Sequence, residues 1–278
     1  MWKSKDVYFI SDSTGILISN LAHALLCQFP EINFHEERFP FVRTVEEAQK
    51  ILGYILRESG GRRPLVFSTI TDPRVREIFD SPEVEFFDAF DFFLKRLETC
   101  LEAKALRVPG FSRQKDLISM ADRVEAIHFS MEHDDGSRVQ EFEEADVIML
   151  GVSRSGKTPV SVYLATQIGL KAANFPLTSE YLEQYKLPDH IRRHAKRAIG
   201  LTTTPELLHT MRERRYGGSK YANLATCREE LRQAEQIFER YHIPVVHTAG
   251  KSIEEIATQV LQEIGLSKKP AALTAQPA

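Results

Sequence analysis

The chain has 278 residues, 42% of them hydrophobic and 27% charged, which is room for two domains and enough apolar material to exclude a disordered chain. Lys plus Arg number 36 against 39 Asp plus Glu, and the resulting charge of −3 excludes generic coating of nucleic acid. No apolar run reaches the roughly 18 residues of a membrane helix, and Cys27, Cys100 and Cys227 are too scattered for a disulfide framework or a zinc cluster.

Val7–Ile10 is too short for the core of a signal peptide, so a cytoplasmic protein is expected, and the run predicts a first strand. Ser11-Asp12-Ser13-Thr14-Gly15 follows, at the strand end where α/β sheets place ligands. It can offer hydroxyls and a carboxylate to a ligand, or cap a helix over Ile16–Phe29 through Asp12 or Ser13. Thr44 and Glu47 form a capping box before a helix whose apolar face includes Val45, Ala48, Ile51, Leu52 and Ile55, and Gly60-Gly61 ends it. Leu65–Thr69 predicts a second strand. From Arg107 to Gly136 the pattern changes, and a domain junction is expected there. His133-Asp134-Asp135-Gly136 reads as a tight turn, or as the source of a base or a metal ligand.

Val147–Leu150 and Ala172–Phe175 are further strands, unbroken in apolarity as strands buried on both faces are. Thr204-Pro205 opens a helix with proline at its first position. Arg212, Arg214, Arg215 and Lys220 can clamp a phosphate or an acidic partner, or simply form a basic helix end. Val245–His247 is the last strand, and Ser252 with Glu255 caps a helix carrying Ile253, Ile256, Ala257, Val260, Leu261 and Ile264. His23, His128, His209 and His247 have no ligand spacing and read as structural. The pattern predicts an α/β fold of two domains with mostly parallel sheets, the C-terminal one P-loop kinase-like. The expected division is an N-terminal α/β domain over 1–108, a connecting segment over 109–140, the kinase-like domain over 141–266 and a tail over 267–278.

Gly151-Val152-Ser153-Arg154-Ser155-Gly156-Lys157-Thr158 fits G-x-x-x-x-G-K-[ST] throughout, between a predicted strand and a predicted helix. The glycines let the backbone curl its N–H groups around phosphate oxygens. Lys157 would reach a distal phosphate and Thr158 would ligate Mg²⁺. The bland alternative is a glycine-rich turn with a surface lysine. No apolar strand ending in Asp follows Thr158, and no guanine-reading N-K-x-D occurs, so a standard ATPase or GTPase fits poorly.

These segments together resemble one family. They are Ile10-Ser11-Asp12-Ser13-Thr14-Gly15, Val124-Glu125-Ala126-Ile127 with the His133–Gly136 turn, the Gly151–Ser161 loop, Lys171–Leu177, Gly200-Leu201-Thr202 and Ser252–Ala257. The family is the pyruvate, phosphate dikinase and phosphoenolpyruvate synthase regulatory proteins, and the resemblance runs from Val7 to Leu266. It implies a bifunctional enzyme. One activity moves phosphate from ADP to a threonine of the target and inactivates it. The other attacks the phosphothreonine with inorganic phosphate, releases diphosphate and reactivates the target. Gly156, where the phosphate dikinase branch usually has serine, and Cys227-Arg228-x-Glu230 with Ile243-Pro244 point to phosphoenolpyruvate synthase (pyruvate, water dikinase) as partner. Pyruvate, phosphate dikinase is the alternative target, and a non-catalytic nucleotide sensor the alternative class. The expected site is Gly151 to Thr158 for ADP, Lys157 as a catalytic residue, Thr158 for Mg²⁺, and Asp12 or Asp135 as the carboxylate that orients the attacking hydroxyl. Inorganic phosphate is a co-substrate, and a homodimer is compatible with this reading.

Overall fold

The computed structural model describes residues 3–111 and 117–265. The tail expected over 267–278 lies outside the described residues. The chain divides into two compact units, Met1–Lys115 and Asp116–Ala278.

The first unit is built on β1 (Lys3–Ile10), β2 (Ile32–Phe39), β3 (Leu65–Ser68) and β4 (Glu85–Asp88), all parallel, in the order β2-β1-β3-β4. Side chains alternate across a strand, so β1 feeds two cores. Tyr8 and Ile10 pack with Ala48 and Ile55 of α2 (Val45–Glu58), while Val7 and Phe9 pack with Ile18 and Ala22 of α1 (Ile16–Leu26). The Thr44–Glu47 capping box is formed, with Glu47 N–H donating to Thr44 Oγ1 at 3.2 Å. The helix after Ser11–Gly15 departs from expectation. It runs only to Leu26 and is entered through Gly15 at φ 74°, without a side-chain cap. Asp12 caps nothing, because its Oδ2 accepts the N–H and the hydroxyl of Thr71, each at 2.7 Å. The unit also holds α3 (Pro73–Arg76) and α4 (Asp91–Leu101).

The second unit begins with α5 (Leu117–Glu132), inside the stretch expected as a connecting segment, and its sheet is β5 (Val147–Gly151), β6 (Ala172–Pro176), β7 (Ala198–Thr202) and β8 (Val245–His247). All pairings are again parallel, in the order β6-β5-β7-β8. Every residue of β5 and β7 is buried. β7 leaves no room at Gly200, where a Cβ would come within 2.7 Å of the Phe238 ring. Helix α6 (Lys157–Tyr163) leaves the Gly151–Gly156 loop and continues into a π turn over Leu164–Ile168. The remaining helices are α7 (Ser179–Gln184), α8 (Asp189–Arg193), α9 (Pro205–Tyr216), α10 (Leu224–Arg240) and α11 (Ile253–Glu263). Thr204 caps α9 and Ser252 with Glu255 boxes the start of α11, as the sequence predicts. Three strands escaped the reading: β2, β4 and β7.

Candidate active site

The buried strand β5 delivers Gly151 to the carboxyl edge of the second sheet. Only glycine fits there, because a Cβ would sit 2.6 Å from Ser155 Oγ and 2.7 Å from Leu201 O. The chain then turns through Arg154 at φ 74° and Gly156 at φ 100° before entering α6. Inside the loop, Ser155 N–H donates to Val152 O at 3.3 Å. Among the described residues, the N–H groups of Ser153, Arg154, Gly156, Lys157 and Thr158 find no acceptor. Five unmet donors on one short curl are the signature of an anion cradle.

Arg212 of α9 fixes the shape of this curl. It is completely buried and donates to Ser153 O at 3.1 Å and 3.3 Å and to Tyr221 O at 3.0 Å. Glu230 of α10 balances its charge at 2.6 Å, and the Tyr221 ring lies 4.2 Å from the guanidinium. Tyr221 in turn donates its hydroxyl to Ser153 Oγ at 2.8 Å. A trans peptide points its C=O and N–H in opposite directions. Tying the Ser153 carbonyl to Arg212 therefore aims the Arg154 N–H away from that strut. Arg212 is thus a support for the loop and not a phosphate clamp. Of the same cluster, the exposed Arg215 lines a cavity of about 510 Å³ with Arg154, Asp135, Ser153, Tyr216 and Tyr221.

Lys157 is 5% exposed, and its ammonium donates to Val152 O at 3.0 Å. Burial pushes it down to about 8, against the pull of Asp135 and Asp134, with the Arg212 charge adding to the fall. Among the described residues it forms no ion pair with a carboxylate. A buried cation beside unmet N–H donors is poised for an anion.

The His133–Gly136 turn lies against β6. Asn174 N–H donates to His133 O at 2.9 Å, and Gly136 N–H donates to Asn174 O at 2.7 Å. His133 is buried beneath the turn: it stacks on Phe129 at 3.8 Å, its Nδ1 lies 2.7 Å from Phe129 O, and its Nε2 lies 3.2 Å from the Glu141 carboxylate. The two aspartates face the loop. Asp135, at φ 51°, lines the cavity of about 670 Å³ that also contains Arg154, Lys157, Thr158 and Lys251. Asp134 accepts the Thr158 hydroxyl at 3.0 Å and an N–H of Asn174. The segment is the tight turn expected, and that turn is what places the two carboxylates beside the loop. Asp12 belongs to the first unit, where it is 4% exposed and borders a separate cavity of about 380 Å³ with Ser11, Thr69 and Thr71. Sequence reasoning missed Asn174, Arg212 as a strut, and Thr248, whose hydroxyl reaches Thr202 O at 3.2 Å. A signal existed for Asn174: a wholly buried amide in an apolar strand needs partners.

A model of the kinase/pyrophosphorylase family matches residues 7–261. Among curated relatives, a protein of Desulfotalea psychrophila is 45% identical over 266 residues, covering 96% of this chain and 98% of the relative. One from Laribacter hongkongensis is 42% identical over 95% of this chain and 98% of its own length, and one from Bordetella pertussis 42% over 94% and 96%. Each is provisionally named a phosphoenolpyruvate synthase regulatory protein. No helix among the described residues is long and apolar enough to cross a membrane. With a match over nearly its whole length, the chain belongs to the kinase/pyrophosphorylase family.

Proposed function

We propose that the second unit is a P-loop kinase-like domain that regulates phosphoenolpyruvate synthase in the cytoplasm by two opposed phosphoryl transfers. In the first, a threonine hydroxyl of the synthase attacks the β-phosphorus of ADP. The bond from that phosphorus to the α–β bridging oxygen breaks, AMP leaves, and the hydroxyl proton passes to a carboxylate. In the second, an oxygen of inorganic phosphate attacks the phosphothreonine phosphorus. The P–Oγ bond breaks, diphosphate leaves, and the threonine oxygen regains a proton.

The observation that carries this reading is Lys157, buried without a carboxylate partner among the described residues and pushed down to about 8 beside the unmet N–H groups of its loop. The ADP β-phosphate or inorganic phosphate supplies the missing charge, and one cradle serves both reactions. Phosphoryl transfer depends on positioning and charge neutralisation, to which Arg154 and Arg215 contribute from the neighbouring cavity wall. Asp135 is the carboxylate we assign to the attacking hydroxyl, because it lines the loop cavity and interacts with the Lys157 charge. The hydroxyl of Thr158 and the carboxylate bonded to it are hard oxygen donors that suit Mg²⁺. When bound, Mg²⁺ shields the charge on the phosphates.

The test is to mix the purified chain with phosphoenolpyruvate synthase and ADP labelled at the β-phosphate, then to add inorganic phosphate. The expected result is label on a synthase threonine, released as diphosphate in the second step. Label on pyruvate, phosphate dikinase in place of the synthase changes the partner. ADP binding without transfer to either makes the protein a sensor.

A further inference from the structure

The loop cavity of about 670 Å³ and its neighbour of about 510 Å³ share Asp135, Ser153, Arg154 and Arg215, which makes their border the charged end of the loop cavity. Of the two, only the loop cavity is lined by Leu207, Met211, Thr248, Gly250 and Lys251. Leu207, Met211 and Arg215 follow one another at steps of four along α9, so they share one face of that helix. At about 1.5 Å of rise per residue, Leu207 and Arg215 lie roughly 12 Å apart along the axis. This wall therefore changes from apolar to cationic along the cavity. Met211, though apolar, is 41% exposed. The turn over 248–251, which follows β8, supplies a second wall. Thr248 N–H donates to Thr202 O at 2.9 Å, the Thr248 hydroxyl reaches Ser155 O at 3.4 Å, and Lys251 N–H donates to Thr248 O at 3.3 Å. The turn is thus tied both to β7 and to the Gly151–Gly156 loop.

The two transfers proposed above give the apolar end a use. In phosphoryl transfer the attacking and leaving oxygens lie roughly in line through the phosphorus. Asp135 holds the attacking hydroxyl at the charged border, so AMP leaves on the far side, toward Leu207 and Met211. A nucleoside carries a flat and largely apolar base, and an unbranched methionine adapts to such a surface. Run backwards, the first transfer has an oxygen of the AMP phosphate attack the phosphothreonine phosphorus. The P–Oγ bond breaks, ADP forms, and the threonine oxygen regains its proton. The second transfer is this same step with inorganic phosphate in place of AMP: the same bond breaks, and diphosphate forms. The reacting atoms are identical, and only the nucleoside distinguishes the two. Neither inorganic phosphate nor diphosphate has any group that would occupy the apolar end.

We infer that Leu207 and Met211 of α9, with the turn over 248–251, form the nucleoside pocket of the site, and that this pocket is what separates the ADP-dependent transfer from the phosphate-dependent one. The inference rests on the nucleotide reading above. The test compares ADP with diphosphate, which lacks the nucleoside, in isothermal titrations of the full chain, and follows both transfers with the synthase. Met211→Ala should weaken ADP binding and raise the KM for ADP about tenfold, the worth of a few apolar atoms in a pocket. It should leave diphosphate affinity and the KM for inorganic phosphate within about twofold of the wild type, because neither ligand reaches the residue. The exposure of Met211 makes this change safe for the fold. Irradiation with 8-azido-ADP locates the base without any variant, and should label α9 near Leu207 and Met211 or the turn over 248–251. Equal losses of ADP and diphosphate affinity in Met211→Ala, or label elsewhere in the chain, overturn the pocket. A phosphate-dependent rate that falls together with the ADP-dependent one overturns its role in separating the two. A wild type that binds diphosphate but not ADP removes the nucleoside pocket and leaves the anion cradle standing. One that binds neither removes the nucleotide reading as well.

Discussion

The two units share one topology and use it differently. In each, the first strand lies between the second and the third, so the strand order turns at the carboxyl ends of β1 and β3 in one unit and of β5 and β7 in the other. Ligands of open α/β sheets bind at that point. In the first unit much of the polarity there is met from within. Asp12 takes two hydrogen bonds from Thr71, and Ser11 Oγ takes one from Thr69. In the second unit the corresponding loop keeps five N–H groups unmet among the described residues and buries a lysine that meets a carbonyl but no carboxylate there. The fold supplies the place, and the local wiring decides whether it is a ready binding site.

The sharpest way to break this comparison is Lys157→Met. Phosphoryl transfer should fall by at least about a thousandfold, because an electrostatic contact to the reacting phosphate is lost. Stability should move the other way. The folded chain holds the Lys157 proton less tightly than the unfolded chain, so the charged lysine costs stability at any pH below about 8. Removing it should raise the thermal midpoint, through a gain in stability on the order of 3 kcal/mol at pH 7. A midpoint that drops in calorimetry would mean that the lysine is paired after all.

A paired substitution asks which unit does the chemistry. Asp135→Asn should lower transfer about 10²- to 10⁴-fold, the usual contribution of a general base. Asp12→Asn should lower it far less, and its main effect should be on the stability of the first unit, through the weakened bond to Thr71. Steady-state rates with labelled ADP decide between them. If Asp12→Asn is the more damaging change, the first unit's crevice takes part in catalysis. Arg212→Met should come next. It leaves Glu230 without its partner and frees the Ser153 carbonyl, costing about 3–5 kcal/mol as broken buried ion pairs do. The apparent affinity for ADP should weaken even where the chain still folds, because the Arg154 N–H loses its aim. Isothermal titration on the folded fraction would show it.

What the sequence made legible follows from the same physics. β1, β3, β5 and β6 are apolar runs, and they could be read directly. β2 and β4 are edge strands, and charge at Glu36, Glu37, Arg38 and Glu85 hid them. β7 is internal, but Ala198, Gly200 and the packing of Phe238 against that glycine replace the bulky β-branched signal. The loop was legible because its motif lies in consecutive residues. Asp134 with Asn174, and Arg212 with Ser153, were not, because each pairing joins segments far apart in the chain. Asp12 looked like a cap because nothing local reveals that Thr71 claims it.

The smallest effect tests the comparison from the side of the first unit. Asp91 is 5% exposed, and it meets Arg107 at 2.6 Å, Lys95 at 2.7 Å and Arg76 at 2.9 Å. Burial alone would raise its carboxyl, but bonds from Lys95 and Arg107 and the charge of Arg76 outweigh this and hold it below the ordinary aspartate range. A depressed carboxyl contributes stability that is complete above the unfolded value near pH 4 and is lost as pH falls through the folded one. Acid should therefore weaken the first unit through Asp91. Asp91→Asn should cost about 2 kcal/mol at pH 7 and flatten that acid limb in urea titrations at pH 3, 4 and 7. Asp91 and Lys157 then give opposite signs for one kind of change. Deleting a buried charge destabilises the unit where partners surround it and stabilises the unit where a ligand must supply the partner.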